Sequence, residues 1–228
     1  MARACLRFIT FIVVFSLATL TYSMQHYSEL WTSATIIGSL SSNTHFKYYF
    51  ESGIHFIDDT YKLHSVIILP GLGYAMNPDL ALFVGPGWSL TKSPTQGNVT
   101  HEYQLWEQIN WCIPSANYIN IQSRTWLEEK IKSTAAGMAV RFRERVWVRI
   151  PFKYWPDYFF STYDEVFFNI NHPEWVSIDT FSENRAFIGI GTHLSKSTML
   201  DIGYLNQYIL ASKYQDNNVL LIKFTVNT

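Results

Sequence analysis

The chain has 228 residues, of which 48% are hydrophobic, 17% aromatic and only 15% charged, with a formal net charge of −1. This length allows one large domain or two small ones, with ample apolar material for a core. The composition excludes a disordered chain, a disulfide scaffold and a coiled coil, and the near-neutral charge argues against a nucleic-acid binder.

The N-terminus reads as an export signal. Arg3 and Arg7 precede the apolar run FITFIVVFSLATL from Phe8 to Leu20, and Thr21-Tyr22-Ser23 supplies small residues for a cleavage site. The run is too short to cross a bilayer comfortably as a helix. Residues 1–23 are therefore expected to be a cleaved signal peptide and residues 24–228 a single domain. An uncleaved N-terminal anchor is the alternative. Cys5 falls inside the signal, which leaves Cys112 alone in the exported chain, without a disulfide partner. Flanked by Trp111 and Ile113, Cys112 is expected at an apolar wall position.

Beyond the signal no run approaches the ~18 apolar residues of a membrane helix. The longest, Val66-Ile67-Ile68-Leu69, is stopped by Pro70-Gly71. What recurs is alternation with period two. Phe46, Tyr48 and Phe50 alternate with Lys47, Tyr49 and Glu51; Val140, Phe142, Val146, Val148 and Ile150 with Arg141, Arg143, Arg145 and Arg149. Ala186, Ile188, Ile190 and Thr192 alternate with Arg185, Gly189, Gly191 and His193; Leu200, Ile202 and Tyr204 with Asp201 and Gly203; Leu220, Ile222, Phe224 and Val226 with Lys223, Thr225 and Asn227. These are strand signatures. Short turns are expected at Met76–Asp79, Pro114–Asn117 and Ser195–Ser197, and longer loops at Thr91–Thr100, His172–Ser182 and Ser212–Asn217. Thr125–Val146 admits a capped helix, but Arg141, Arg143 and Arg145 fall on one side only in a strand. Two strands joined at Ala135-Ala136-Gly137 fit better. The pattern gives ten strands between His45 and Asn227 and a further one at Trp31–Ser41. An odd total is disfavoured in bacterial barrels. Either that first strand lies outside the wall or another strand is hidden.

Many short alternating strands suit either a water-soluble sandwich or a transmembrane barrel. The barrel is favoured because each strand's apolar face is aliphatic and aromatic, while its opposite face mixes Arg, Glu, Gln, Asn and Gly. Trp31, Tyr74, Trp88, Trp111, Tyr118 and Trp147 are expected at strand ends, as interfacial girdles. The fold class expected is all-β: an antiparallel up-and-down transmembrane barrel of 10–12 strands.

Several segments resemble an uncharacterised family, domain of unknown function 2490: Glu102–Gln108 (EYQLWEQ), Arg124–Lys130 (RTWLEEK), Tyr163–Asn169 (YDEVFFN), Asn184-Arg185 with Gly189-Ile190-Gly191, and Gly203-Tyr204-Leu205. The resemblance covers the chain from about Phe46 onward. It implies an outer-membrane β-barrel of Gram-negative bacteria and no established activity.

The lumen-lining candidates are Arg124, Lys130, Arg141, Arg143, Arg145, Arg149 and Arg185, with Glu128 and Glu165. Two readings stand. The cations form a ladder that guides small anions through a pore, or they pair with Glu128 and Glu165 in a polar plug. Glu107 and Glu144 break the pattern by pointing toward lipid, and a β-bulge that returns them to the lumen is expected. His193 and Ser195, with Asn206, share the His-x-Ser spacing of outer-membrane lipid hydrolases, yet they read as a strand histidine and a turn serine.

The function expected is an outer-membrane barrel, a narrow passive conduit for small solutes, with anions the class that the basic lining would suit. The alternative is a closed structural or adhesion barrel acting through its outer loops; a lipid hydrolase is more remote. No catalytic residue, cofactor or metal is expected. The partners expected are outer-membrane lipid, lipopolysaccharide and the barrel-assembly machinery, with no nucleic acid.

Overall fold

The computed structural model describes residues 25–42, 44–57, 62–93, 97–115, 118–210 and 214–228. Residues 1–23, read as a signal, lie outside the described residues, as do Ala116-Asn117 of one expected turn and parts of two expected loops. Eleven strands follow in order: β1 (Gln25–Ser39), β2 (Phe46–Ile57), β3 (Lys62–Ala75), β4 (Leu80–Lys92), β5 (Val99–Ile113), β6 (Asn120–Lys132), β7 (Met138–Pro151), β8 (Tyr158–Asn169), β9 (Phe181–His193), β10 (Thr198–Ile209) and β11 (Gln215–Asn227). No described residue is helical. Each strand pairs antiparallel with its sequence neighbours, and β1 pairs with β11 to close the barrel.

The closing seam corrects the sequence reading twice. The first strand does belong to the wall, and the described residues hold no further strand, so the odd count stands. Each antiparallel step reverses the chain, so the first and last strands of an odd set run the same way. β1 and β11 accordingly pair in parallel, from Gln25↔Gln215 to Ile37↔Asn227.

The helix alternative for 125–146 is replaced by β6 and β7, joined at 133–137 with Gly137 at φ 87°. The connections at 40–45, 76–79, 114–119, 152–157 and 194–197 share one rim. The ends that join β2 to β3, β4 to β5, β6 to β7, β8 to β9 and β10 to β11 lie at the other. The expected contrast between rims is muted, because strands β4 and β5 extend into the predicted loop at Thr91–Thr100. Only 170–180 is long.

Alternation sends apolar side chains outward. Leu72, Val84, Leu105, Ile131, Ile188, Ile190 and Leu220 are among the exposed large apolar residues. Inside lie two aromatic-rich clusters. One joins Trp31, Trp147, Tyr163, Phe187, Leu205, Val219 and Leu221, and the other Tyr49, Leu69, Phe83, Trp106 and Trp126. Trp31 and Trp147 are therefore interior residues, not girdle residues. Trp147 has the same parity as Arg145 and Arg149, and its indole donates to Ser161 Oγ at 2.8 Å. Tyr74, Trp111 and Tyr118 stay exposed. Cys112 likewise faces inward, on the parity of Gln108 and Asn110, and not toward an apolar surface.

One seam is irregular. The β3–β4 ladder breaks between the pairs Ile68↔Trp88 and Leu72↔Val84. Pro70 and Pro86 face each other there, and neither has an N–H to donate. A Cβ on Gly85 would sit 2.0 Å from the Pro70 carbonyl oxygen, so only glycine fits. The Trp106 indole, from inside, donates to the Pro86 carbonyl at 2.9 Å and replaces a missing ladder bond.

Candidate functional site in the barrel interior

Register alone assembles the interior charges. Arg124 on β6 stands opposite Arg145 on β7, Arg145 opposite Glu165 on β8, and Glu165 opposite Arg185 on β9. Ion pairs between strands that are not neighbours reach over an intervening strand or across the lumen. Arg124 reaches Glu51 on β2 through Nη1 at 3.1 Å and Glu165 through Nη2 at 2.7 Å. Arg149 reaches Asp201 on β10 at 3.1 Å, and Arg141 approaches Glu183 on β9 at 3.8 Å.

Shorter links complete the network. Arg143 bridges Glu128 at 2.6 Å and Glu165 at 2.9 Å, and Arg141 holds the other Glu128 oxygen at 2.7 Å. Arg185 pairs with Glu183 at 2.5 Å, and Lys130 with Glu102 at 2.6 Å. Every residue of the expected lining thus projects into the barrel, and most are joined there in one network. Desolvating ions this deeply is costly, and the short, shared contacts of the network offset that cost.

Aromatic rings fill the gaps between guanidinium groups. Arg143 lies 4.7 Å from the Trp126 ring centre and 4.5 Å from that of Phe167, and Arg149 lies 3.8 Å from that of Trp147. A planar, weakly hydrated guanidinium can lie flat against a ring, a geometry that a tetrahedral ammonium does not share.

Glu51, Glu183, Asp201 and Lys223 were not singled out from sequence, although their parity put them inside. Lys223 donates to Thr35 Oγ1 at 2.8 Å. Neither Lys223 nor Arg145 has a carboxylate within 4.0 Å among the described residues.

The network divides the interior into two cavities. One, of about 120 Å³, lies toward the rim that carries 170–180. The other, of about 270 Å³, extends to Asn120, Met199 and Asn227 at the short-turn rim. Glu51, Arg124, Arg145 and Lys223 line both, so this single layer separates them.

The family model described as protein of unknown function DUF2490 matches residues 28–218. The chain belongs to this family. It is also similar to an uncharacterized protein of Methylorubrum extorquens, 27% identical over 180 residues, covering 78% of this chain and 77% of that protein. No solved structure matches.

On the outside of this DUF2490 barrel, Glu107 and Glu144 do not behave as expected. The β5–β6–β7 register runs without a bulge, so both carboxylates stay on the outer face. Glu144 needs no bulge because Ser123 and Thr125, outward on β6, donate to its two oxygens at 2.6 Å each. Glu129 and Asp164 also face outward, and Asp164 accepts from Asn184 at 2.9 Å.

His193 and Ser195 form no hydrogen bond with each other among the described residues. His193 meets the edge of Phe159, Ser195 Oγ caps the turn through Ser197 N at 3.2 Å, and Asn206 donates to Asp216 on the outer face. Among the described residues no group of three His, Cys, Asp or Glu has the arrangement for a metal ion.

Proposed function

We propose that this DUF2490 protein is an outer-membrane β-barrel of Gram-negative bacteria whose lumen is closed at rest. The membrane reading is supported by the outward apolar faces, since exposed apolar surface on this scale is unusual for a monomer in water. Strand length agrees. At about 3.3 Å per residue and a tilt of about 40°, a strand of 13 residues rises ~33 Å, enough for an outer-membrane apolar band. On this reading the short-turn rim faces the periplasm, and the wall meets lipid and lipopolysaccharide after delivery by the barrel-assembly machinery.

Closure rests on one observation: Arg124, held by Glu51 on one side of the lumen and Glu165 on the other. In planar bilayers the wild type is expected to carry no steady current. Replacing Glu51, Arg124 and Arg145 together by alanine is expected to produce discrete conductance steps. A constant open level in the wild type overturns closure.

The conduit reading keeps a specific support, because only the layer of Glu51, Arg124, Arg145 and Lys223 separates the two cavities. A displacement of that layer joins them into a narrow path lined mainly by cations, which suits small anions. Voltage- or ligand-triggered current that loses anion selectivity in Arg145→Gln is the corresponding result.

A further inference from the structure

The larger cavity has chemistry that the closed barrel does not need. Of the described buried side-chain polar atoms without a protein hydrogen-bond partner, Gln108 Nε2 and Oε1, Asn110 Oδ1, Arg124 Nε, Arg145 Nε and Thr225 Oγ1 all belong to residues that line it. Gln108 is only 2% exposed, and Asn110 and Arg145 are 8% exposed. Leaving a buried polar atom unpaired is costly, so a cluster of them at one cavity marks a place prepared for a polar guest.

Charge narrows the guest to an anion. Arg145 has no carboxylate to bind, and the Lys223 ammonium is held in the described structure by the Thr35 hydroxyl. Glu51, the one carboxylate on the cavity wall, is already engaged by Arg124, Tyr49 and Thr35. Among the described residues, two cations therefore face the cavity with no carboxylate within 4.0 Å, so each keeps donors to offer an anion. The unpaired acceptors Gln108 Oε1 and Asn110 Oδ1 require donors from the guest, which a bare oxyanion lacks and hydroxyl groups supply. The volume of about 270 Å³ equals roughly nine water volumes, room for a molecule of monosaccharide size.

We propose that this cavity, opening at the short-turn rim, is a binding site for a small hydroxylated carboxylate of the sugar-acid class. Arg145 and Lys223 hold the carboxylate, and Gln108, Asn110 and Thr225 read the hydroxyl groups. The site is internal to the fold and does not depend on membrane location or on electrical closure.

Titration calorimetry on the purified full chain in detergent micelles, with D-glucuronate as the probe, is expected to show saturable binding. D-glucose, which lacks the charge, and inorganic phosphate, which lacks the hydroxyl pattern, are each expected to bind at least about tenfold more weakly. Gln108→Glu places a like charge in the cavity with little change of shape, and Arg145→Gln removes the free cation. Each is expected to weaken glucuronate binding about tenfold or more, and Thr225→Val about threefold. Circular dichroism confirms folding of each variant, and Thr225→Val decides the matter if neither charge variant folds. Absence of saturable binding overturns the assignment. So does equal affinity for glucose or phosphate, or glucuronate binding unchanged in the folded variants.

Discussion

Arg143 shows how one side chain in this barrel holds several others. Its two terminal nitrogens engage different carboxylates, Glu128 and Glu165, while its planar group stacks between Trp126 and Phe167. Removing it leaves two buried carboxylates short of a cation. Arg143→Ala is therefore expected to lower stability by about 3–5 kcal/mol, read as the shift in the urea midpoint in micelles. Arg143→Lys should recover only part of this, because an ammonium can neither fork between two acceptors nor stack as a plane. Outside the wall, the double replacement Ser123→Ala with Thr125→Val strips both donors from Glu144. A loss of about 1–3 kcal/mol is expected, and Glu144→Gln in that background should restore part of it. At this scale the sequence was legible in parity and silent in partnership. Alternation placed Arg141, Arg143, Arg145 and Arg149 on one face, and the same parity read strictly would have moved Trp31 and Trp147 inside. That Arg124 meets Glu51, 73 positions away, depends on barrel curvature, which no local pattern encodes.

Among the elements, the β3–β4 seam is the weak join. Two prolines remove donors from facing positions, and glycines let the backbones approach where a side chain has no room. Gly85→Ala is expected to force the strands apart and destabilise the barrel by several-fold more than Gly53→Ala. At Gly53 the nearest atom to an added Cβ is 3.5 Å away, an ordinary contact. The measurement is the folded fraction on refolding into micelles, with equal yields for the two variants counting against the seam. Amides beside Pro70 and Pro86 should also exchange with solvent faster than those at the centre of β6 and β7, where the ladder is continuous. Strand boundaries were readable from period two and turn residues, as at Met76–Asp79 and Ala135-Ala136-Gly137. The break itself was visible as Pro70-Gly71 and Gly85-Pro86-Gly87, but only pairing shows that the two breaks face each other.

For the whole molecule, the sheet closes on itself with an odd number of strands, and the low overall charge hides an interior dense in ions. Cys112, half-buried in the larger cavity, makes this geometry testable. A small charged thiol reagent supplied on the short-turn side should modify it, whereas a bulky maleimide should not, and modification from the opposite side alone contradicts the closed layer. Strand count came close from sequence; the direction of the last pairing did not, because parallel closure follows from the total, which no single strand reveals. The parallel seam has a practical consequence for rewiring the chain. Since β1 starts at one rim and β11 finishes at the other, a circular permutant cannot be made with a tight turn. A linker joining Thr228 to Gln25 has to run back along the full height of the wall. At about 3.3 Å per extended residue, it needs on the order of a strand's length of extra chain. The engineer who cuts this barrel open must supply what amounts to a twelfth crossing, one that the fold does without.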